Sequence, residues 1–366
     1  MTTGCMNIGI PKDELDTPAL WVDLDKMERN IARLAEYFRE AGKEWRPHTK
    51  GIKVPAIAHK LLDAGALGVT CAKLGEAEVM AAAGIKDVLI ANQVVGPKKV
   101  TRLVNIQRHA DVMVAVDSLA NAREISEAAV ARGVRVRVLI EVNTGMDRCG
   151  VEPGQPVVDL AKQVAKLPGV RLAGVMAWEG HVVAMTDFEE KRRVCTESVA
   201  KLVDSAEMCR RAGLEIEIVS CGGSGSYQIT THLPGVTEIQ AGGAVFTDVT
   251  YRSWGVPLEP SLFVLATVVS RPTATRAVCD AGQKTIDSIV STAQVVGYEG
   301  VTVGGLAAEH GTLKLAGEEV PLKVGDKIDL MVSYGDFTVY KHDYLYGVRD
   351  GIVETQWAVQ GRGALQ

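Results

Sequence analysis

The feature that most constrains the fold is a regular alternation of short apolar runs with amphipathic helical segments. Eight runs rich in β-branched residues are predicted to be strands: 44–50, 66–72, 87–92, 111–116, 134–143, 170–178, 215–220 and 236–240. Continuous apolar strands that alternate with helices indicate a parallel sheet covered by helices. Eight such units predict an α/β fold built on a closed (β/α)8 TIM barrel, and a doubly wound open sheet is the alternative.

After about residue 250 the pattern changes to short strands separated by turn signals. The turn signals are Asp280-Ala-Gly, Ala316-Gly and Asp350-Gly, and alternating segments such as DKIDLMVSY lie between them. We therefore predict a barrel domain over residues 17–250. A second, mainly β C-terminal domain is predicted over residues 251–366, together with about residues 1–16.

Composition narrows the class of partner. The 366 residues are enough for a barrel plus a smaller domain. The net charge of -5 gives no reason to expect nucleic acid or an anionic membrane as a partner. No apolar run is long enough to span a bilayer, and the N-terminus has no signal-peptide pattern. Seven cysteines without a CxxC pair indicate reduced thiols. These features predict a cytoplasmic protein with a small-molecule ligand.

Two glycine clusters follow the last two predicted barrel strands. Gly222-Gly223-Ser224-Gly225-Ser226 follows the seventh strand, and Gly242-Gly243 follows Gln240 at the end of the eighth. Barrels bind phosphate at these positions through backbone N–H groups, because glycine lets the backbone approach an anion closely. The clusters predict a phosphate site, and the alternative is that these glycines only form tight turns.

Lys50 closes the first predicted strand, and His48 lies two residues earlier on the same face. Partial desolvation at a barrel mouth makes a lysine amine more nucleophilic. A strand-end lysine and a phosphate site together suit a phosphorylated aldehyde bound covalently to the amine. Arg148 is a candidate for binding an anionic group of the ligand, although a surface ion pair with Asp147 is an equally good interpretation.

Further polar positions follow other strands. Trp178 and His181 lie after the sixth predicted strand. In the β domain, Glu309-His310-Gly311 places an acid beside a base before a turn. Tyr334-Gly-Asp336 offers further oxygen donors, and ordinary loop polarity is the alternative for each of these stretches.

Taken together, these motifs resemble a known family. The chain is similar to the fold-type III pyridoxal-phosphate (PLP) enzymes of the D-threonine aldolase, D-3-hydroxyaspartate aldolase and D-serine dehydratase group, which are relatives of alanine racemase. The resemblance covers nearly the whole chain. It rests on the segment 17–25, Arg46-x-His48-x-Lys50, Arg148-Cys-Gly150, the stretch 222–227, Glu238-Ile-Gln240, Glu309-His310-Gly311 and the ending from His342 to Trp357. It implies a barrel with a β domain, PLP held by Lys50, and usually a homodimer whose active sites involve both chains.

The departures from the family pattern concern the substrate side. Relatives that cleave or dehydrate β-hydroxy amino acids carry H-x-D or H-x-C for a divalent metal, and the matching stretch here is Tyr334-Gly-Asp336. Asp336 remains the candidate ligand for Mn, Mg or Zn, but a neutral phenol is a poor replacement for imidazole. Trp178 stands where the family has a tyrosine.

The favoured hypothesis is a PLP-dependent lyase that cleaves a β-hydroxy-D-amino acid to glycine plus an aldehyde or 2-oxo acid. Its candidate catalytic residues are Lys50, His310 and His181, and either histidine could take the β-hydroxyl proton. The alternatives are a PLP-dependent dehydratase or a metal-independent amino-acid racemase or epimerase, and a non-enzymatic PLP carrier. The predicted cofactor-binding residues are Lys50, His48, Arg148, Trp178, Gly222, Gly223, Ser224, Gly225, Gln240, Gly242 and Gly243.

Overall fold

The computed structural model describes residues 7–366, which form two compact units. The barrel unit comprises residues 33–50, 55–242 and 363–366. The β unit comprises residues 7–32, 51–54 and 243–362. The sequence-based limits at 17–250 and 251–366 stay a prediction of domain organisation.

The strands and helices are numbered in chain order. The strands are β1 (Ala19–Asp23), β2 (Glu44–Trp45), β3 (Val69–Cys71), β4 (Asp87–Gln93), β5 (Asp111–Val116), β6 (Val136–Glu141), β7 (Val170–Met176), β8 (Ile218–Cys221), β9 (Glu238–Ile239), β10 (Leu262–Thr273), β11 (Arg276–Cys279), β12 (Gln294–Val296), β13 (Val301–Leu306), β14 (Gly311–Leu315), β15 (Lys327–Met331), β16 (Tyr344–Arg349) and β17 (Ile352–Ala358). The α-helices are α1 (Leu24–Glu40), α2 (Pro55–Asp63), α3 (Leu74–Ala82), α4 (Pro97–Ile106), α5 (Leu119–Arg132), α6 (Gln155–Val164), α7 (Phe188–Arg211), α8 (Tyr227–Thr230), α9 (Val249–Ser253) and α10 (Gly335–Thr338). Short 3-10 turns form at Lys12–Glu14, Gly180–Val182, Gly243–Val245 and Val339–Lys341.

The barrel unit contains a parallel eight-stranded sheet in the order β2-β9-β8-β7-β6-β5-β4-β3. Backbone hydrogen bonds also join its two ends: the N–H of Leu67 donates to the carbonyl of Trp45 (2.9 Å), that of Thr70 to Pro47 (2.9 Å), and that of Thr49 to Thr70 (2.7 Å). These bonds close the sheet into a ring. The predicted TIM barrel is therefore confirmed, and the doubly wound open sheet is wrong.

All eight barrel strands lie within or beside their predicted positions, but the first is shorter than predicted. Regular strand β2 ends at Trp45, whereas the prediction ran to residue 50. Pro47 lacks an N–H and cannot donate to the ladder, which interrupts regular pairing there. The chain beyond it stays attached through the hydrogen bonds that close the ring, so the carboxyl end of this strand still lies in the barrel wall.

The barrel is filled by apolar side chains, with a buried ion network among them. The apolar cluster is Leu89, Met113, Ala115, Leu139, Ala173 and Met176. Arg46 is 1% exposed, and its guanidinium bonds to Glu238 (3.1 Å) and Asp87 (2.5 Å). Asp87 and Glu238 are the first residues of β4 and β9, so this network lies at the amino ends of those strands. The carboxyl ends of the strands remain for a ligand.

Helix boundaries follow the expected local chemistry. The Ser118 hydroxyl caps α5 by accepting the N–H of Asn121 (3.3 Å), and Gly133 ends this helix with a left-handed φ of 64°. Helix α7 begins in the same way, because the Asp187 carboxylate accepts the N–H of Glu190 (3.0 Å). None of the helices within residues 7–366 is long and apolar enough to cross a bilayer.

The β unit is built on a nine-stranded sheet with the main order β13-β14-β11-β10-β1-β16-β17, and β15 pairs with both β10 and β12. The predicted mainly β architecture is confirmed. The Asp350-Gly351 turn is confirmed as well, since φ is positive at both residues (48° and 77°) and Arg349 pairs with Ile352. Strand β13 was not predicted, because two adjacent glycines weaken its strand pattern.

Candidate active site

Lys50 and His48 follow β2 at the carboxyl end of the barrel wall. The N–H of His48 donates to the carbonyl of Gln240 (3.0 Å), which attaches this segment to the end of β9. The N–H of Lys50 donates to Nδ1 of His48 (3.3 Å). Because Nδ1 accepts this bond, the neutral imidazole carries its proton on Nε2. The histidine is therefore oriented as an Nε2–H donor beside the half-buried lysine.

Gly242 lies directly against the same segment. A Cβ at this position would overlap the backbone oxygen of His48, so only glycine fits without a shift of the two chains. The structure thus brings together the end of the first barrel strand and one of the two predicted glycine clusters. Gly243, the next residue, belongs to the β unit, where a Cβ would overlap the Tyr251 hydroxyl.

The second glycine cluster forms a loop over residues 222–226, which we call the glycine loop. Gly222 has a φ of +77°, the left-handed region that favours glycine. A Cβ on Gly223 would overlap the ring of Trp178, and one on Gly180 would overlap the indole Nε1 of the same side chain. Trp178 is therefore packed against the backbone of the glycine loop, and its place near the cofactor stays a prediction.

The first two N–H groups of the glycine loop have acceptors within the protein. The N–H of Gly223 donates to the Ser226 hydroxyl (3.0 Å), and that of Gly222 points to Oε2 of Glu179 (3.4 Å). Phosphate binding by the backbone of Gly222 and Gly223 stays a prediction. These two hydrogen bonds shape the loop, and Gly222, Gly223, Ser224 and Gly225 remain the candidate phosphate contacts.

Glu179 was missed as a site residue by sequence reasoning. It is 1% exposed, and burial raises the pKa of its carboxyl. Its Oε1 lies 2.5 Å from the Ser226 hydroxyl. The available signal was its position just after a barrel strand, where polar residues tend to be functional. The sequence contained no sign of which group it contacts.

Gln240 joins the ends of β8 and β9. Its side-chain amide donates to the Ser220 hydroxyl (2.8 Å), and its backbone N–H donates to the carbonyl of Gly222 (2.9 Å). The side chain is buried. Gln240 thereby ties the start of the glycine loop to the residues next to His48.

Arg148 pairs with Glu141 rather than with Asp147. Its guanidinium lies 3.5 Å from Oε1 of Glu141, whose Oε2 accepts the side-chain amide of Gln93 (2.6 Å). Glu141 is buried at the end of β6, while half of the Arg148 side chain is exposed (51%). Glu141 thus holds the Arg148 guanidinium at the end of β6. The exposed part of this side chain is accessible to an anionic ligand.

The two predicted catalytic histidines lie in different settings. In the barrel unit, Nε2 of His181 contacts the Ser198 hydroxyl of α7 (3.1 Å), and burial lowers the pKa of the ring. His181 is therefore neutral near pH 7 and able to accept a proton. In the β unit, the side chain of His310 is exposed in the turn between β13 and β14.

Asp336 lies in the β unit among tyrosines. Its two carboxylate oxygens accept the hydroxyls of Tyr251 (3.3 Å) and Tyr334 (3.1 Å). A Cβ on Gly51, the residue after Lys50 in the chain, would overlap Oδ1 of Asp336. The carboxylate is therefore packed against the backbone of the residue that follows the predicted cofactor lysine. Sequence reasoning missed Tyr251, since nothing local marks it.

The surroundings of Asp336 do not fit a metal site. Within residues 7–366 no group of three His, Cys, Asp or Glu side chains is arranged to hold a metal ion. Burial and the Asp336 charge raise the pKa of both tyrosines, so they stay neutral phenols that donate hydrogen bonds. Neutral phenols are poor ligands for Mn²⁺, Mg²⁺ or Zn²⁺.

Comparison with known proteins agrees with this geometry. The family model "Alanine racemase, N-terminal domain" matches residues 22–249. This chain belongs to that family. A serine dehydratase domain model matches residues 261–348. The chain is 37% identical to a D-threonine aldolase of Arthrobacter sp over 97% of this chain and 95% of the relative.

Two further proteins are similar to this chain over nearly their whole length. A 3-hydroxy-D-aspartate aldolase of Paracoccus denitrificans (strain Pd 1222) is 34% identical over 97% of this chain and 94% of the relative. The crystal structure of D-threonine aldolase from Filomicrobium marinum has a TM-score of 0.96 at 37% identity, with 98% of this chain and 99% of that chain covered. The PLP cofactor expected of aldolases in this family fits the barrel unit, because Lys50 and glycine positions that exclude a Cβ lie at its strand ends.

Proposed function

We propose that this chain is a PLP-dependent lyase that cleaves a β-hydroxy-D-amino acid to glycine and an aldehyde or 2-oxo acid. The observation that carries the proposal is the close contact of Gly242 with the His48 backbone. This contact brings a strand-end lysine and a glycine cluster to one place in a chain that is similar to aldolases over nearly its whole length.

The barrel unit supplies the cofactor-binding groups. The Lys50 amine would hold the cofactor aldehyde, and the His48 imidazole, which accepts the Lys50 N–H at Nδ1, would contact the cofactor ring. Trp178, packed on the glycine loop, would offer its flat face to the cofactor ring, and the backbone of the glycine loop with Ser224 would contact the phosphate. Arg148 binds an anionic oxygen of the cofactor or substrate while Glu141 anchors it.

When bound, PLP supplies an electron sink for the charge left at Cα as a bond to that atom breaks. Aldol cleavage then needs a base for the proton of the substrate β-hydroxyl. His181 is a candidate because its lowered pKa leaves it neutral and ready to accept a proton. His310 is exposed, so in this proposal it acts only if a second chain covers it.

Asp336 is proposed to act as a hydrogen-bonded carboxylate and not as a metal ligand. The neutral phenols of Tyr251 and Tyr334 occupy its oxygens as donors. No step of the proposed reaction passes through a metal ion. A cytoplasmic homodimer is proposed as the working form. The structure describes six cysteines and no disulfide among them, which suits a reducing compartment.

The deciding experiment incubates the PLP-loaded protein with a panel of D- and L-β-hydroxy amino acids. Glycine together with an aldehyde or 2-oxo acid, formed only from D-substrates, is the expected result. Ammonia together with a 2-oxo acid would instead identify a dehydratase, and the mirror-image amino acid a racemase. Either of those outcomes, or no product from protein that holds PLP, contradicts the proposal.

A further inference from the structure

The buried carboxyl of Glu179 contacts the glycine loop at two points. Glu179 follows β7, and its two oxygens reach two points of the loop: Oε1 lies 2.5 Å from the Ser226 hydroxyl, and Oε2 lies 3.4 Å from the Gly222 N–H. The Ser226 hydroxyl in turn accepts the N–H of Gly223 (3.0 Å). One side chain therefore holds both ends of the loop.

No cation neutralises this acid in the part of the chain that the structure describes. The titratable groups facing Glu179 are the Cys195 thiol of α7 and the Cys221 thiol of β8, and burial raises the pKa of both, so they are neutral. Burial also raises the pKa of Glu179. Burial without a cation partner favours the neutral acid, whereas the hydrogen bonds from Ser226, Gly222 and Gly223 favour the ionised form.

The hydrogen bonds around Ser226 accommodate a protonated Glu179. A proton on Oε1 is donated to the Ser226 oxygen, and the serine hydroxyl then donates to the carbonyl of Gly223 (3.3 Å). The Gly222 N–H still points to Oε2. Each proton in this series of hydrogen bonds has an acceptor. With Glu179 protonated, no negative charge lies next to the glycine loop.

We propose that Glu179 is a positioning residue, which holds residues 222–226 in the shape that receives the cofactor phosphate. The inference rests on the proposed PLP-dependent function. As a neutral acid, Glu179 supplies hydrogen bonds without repelling a phosphate dianion. An ionised carboxylate at the same place would hold the same loop but oppose the charge of the anion.

The test compares the affinities of PLP and of pyridoxal, which lacks the phosphate. The dissociation constant of pyridoxal divided by that of PLP measures what the phosphate contributes to binding. In Glu179→Ala this ratio is expected to fall about tenfold or more, which corresponds to the loss of a few hydrogen bonds. Glu179→Gln should keep the ratio within about threefold of wild type, because its amide can donate to Ser226 and accept from Gly222. Glu217→Gln, at an exposed pair with Arg171, is the matched control.

A pH series separates this role from a merely structural one. Raising the pH ionises Glu179 and places a negative charge behind the loop, so the preference of the wild type for PLP over pyridoxal should decline. Glu179→Gln cannot ionise, and its preference should decline less over the same range.

Several outcomes would overturn the inference. Equal losses of PLP and pyridoxal affinity in Glu179→Ala would show a structural role only. If that variant does not fold, identical pH series for wild type and Glu179→Gln would be decisive against the proposal. Wild-type protein that binds no PLP would overturn both this inference and the proposed function, whereas PLP binding with an unchanged ratio overturns this inference alone.

Discussion

The guanidinium of Arg46 and the carboxylate of Glu238 form a buried ion pair across β2 and β9. The Nε atom lies 3.1 Å from both oxygens of Glu238, and the two side chains are 1% and 3% exposed. Arg46 also bonds to Asp87 (2.5 Å), so one guanidinium neutralises two acids at the amino ends of barrel strands. Together the two acids hold the pKa of Arg46 above its ordinary value against the opposing effect of burial.

Removing this guanidinium should destabilise the barrel strongly. Arg46→Ala leaves a buried carboxylate without its partner, and the expected loss is about 3–5 kcal/mol. Urea unfolding followed by far-UV circular dichroism measures it. Arg171→Ala, whose pair with Glu217 is exposed, is the control and should cost less than about 1 kcal/mol. Equal losses in the two variants would contradict a special role for Arg46.

Lys50 should be the residue that carries the cofactor. Lys50→Ala is expected to abolish the visible absorbance band of lysine-bound PLP and the lyase activity, because it removes the amine that would bind the cofactor aldehyde. Lys98→Ala, at an exposed position on α4, should keep both. A band that persists in the Lys50 variant would show that the lysine is misassigned.

Because Gly242 contacts the His48 backbone, residue 242 should not tolerate a side chain larger than that of glycine. A methyl group at residue 242 must push the His48 segment aside, so Gly242→Ala should weaken PLP binding about tenfold or more. Absorbance titration with PLP measures the change. Gly305→Ala in β13, where a Cβ meets open space, should leave PLP affinity unchanged. Normal binding by Gly242→Ala would argue against a cofactor site at this contact.

Asp248 predicts a pH dependence of stability. Burial, opposed by the N–H groups of Tyr251 and Gly335, raises the pKa of this carboxyl from 3.8 to about 8. The folded protein therefore holds a proton that the unfolded chain releases, so stability declines as the pH rises from about 4 to about 8.

Asp248→Asn removes this titration. Its unfolding midpoint should fall less between pH 6 and pH 9 than that of the wild type, although loss of one of the two N–H bonds lowers stability at every pH. Thermal unfolding across this range checks the prediction. Parallel pH curves for the two proteins would show that Asp248 is already ionised at pH 6.

The phenols around Asp336 predict activity without a metal. Exhaustive treatment with EDTA should leave lyase activity unchanged, because the Asp336 oxygens accept hydroxyls from Tyr251 and Tyr334. Tyr334→His places imidazole beside the carboxylate, and Mn²⁺ is then expected to change the activity of that variant. Loss of wild-type activity on chelation, with recovery on adding Mn²⁺, would return Asp336 to a metal-binding role.

Much of the fold could be predicted because its signals are local. Apolar runs located all eight barrel strands, and Asp350-Gly351 forms the expected hairpin turn with a positive φ at both residues. Strand β13 was missed because Gly304 and Gly305 lack the side chains on which strand patterns depend. Lys50 and the two glycine clusters were predicted from their positions at strand ends.

The sequence by itself determined the fold class and the positions of the strand ends, because periodicity and turn chemistry act over a few residues. Only the tertiary structure decided which polar groups meet. Closure of the barrel places Gly242 against His48 and Glu179 beneath residue 226, and the packing of the β unit places Tyr251 on Asp336. These partners are 47 to 194 residues apart in the chain, and no local pattern encodes such contacts.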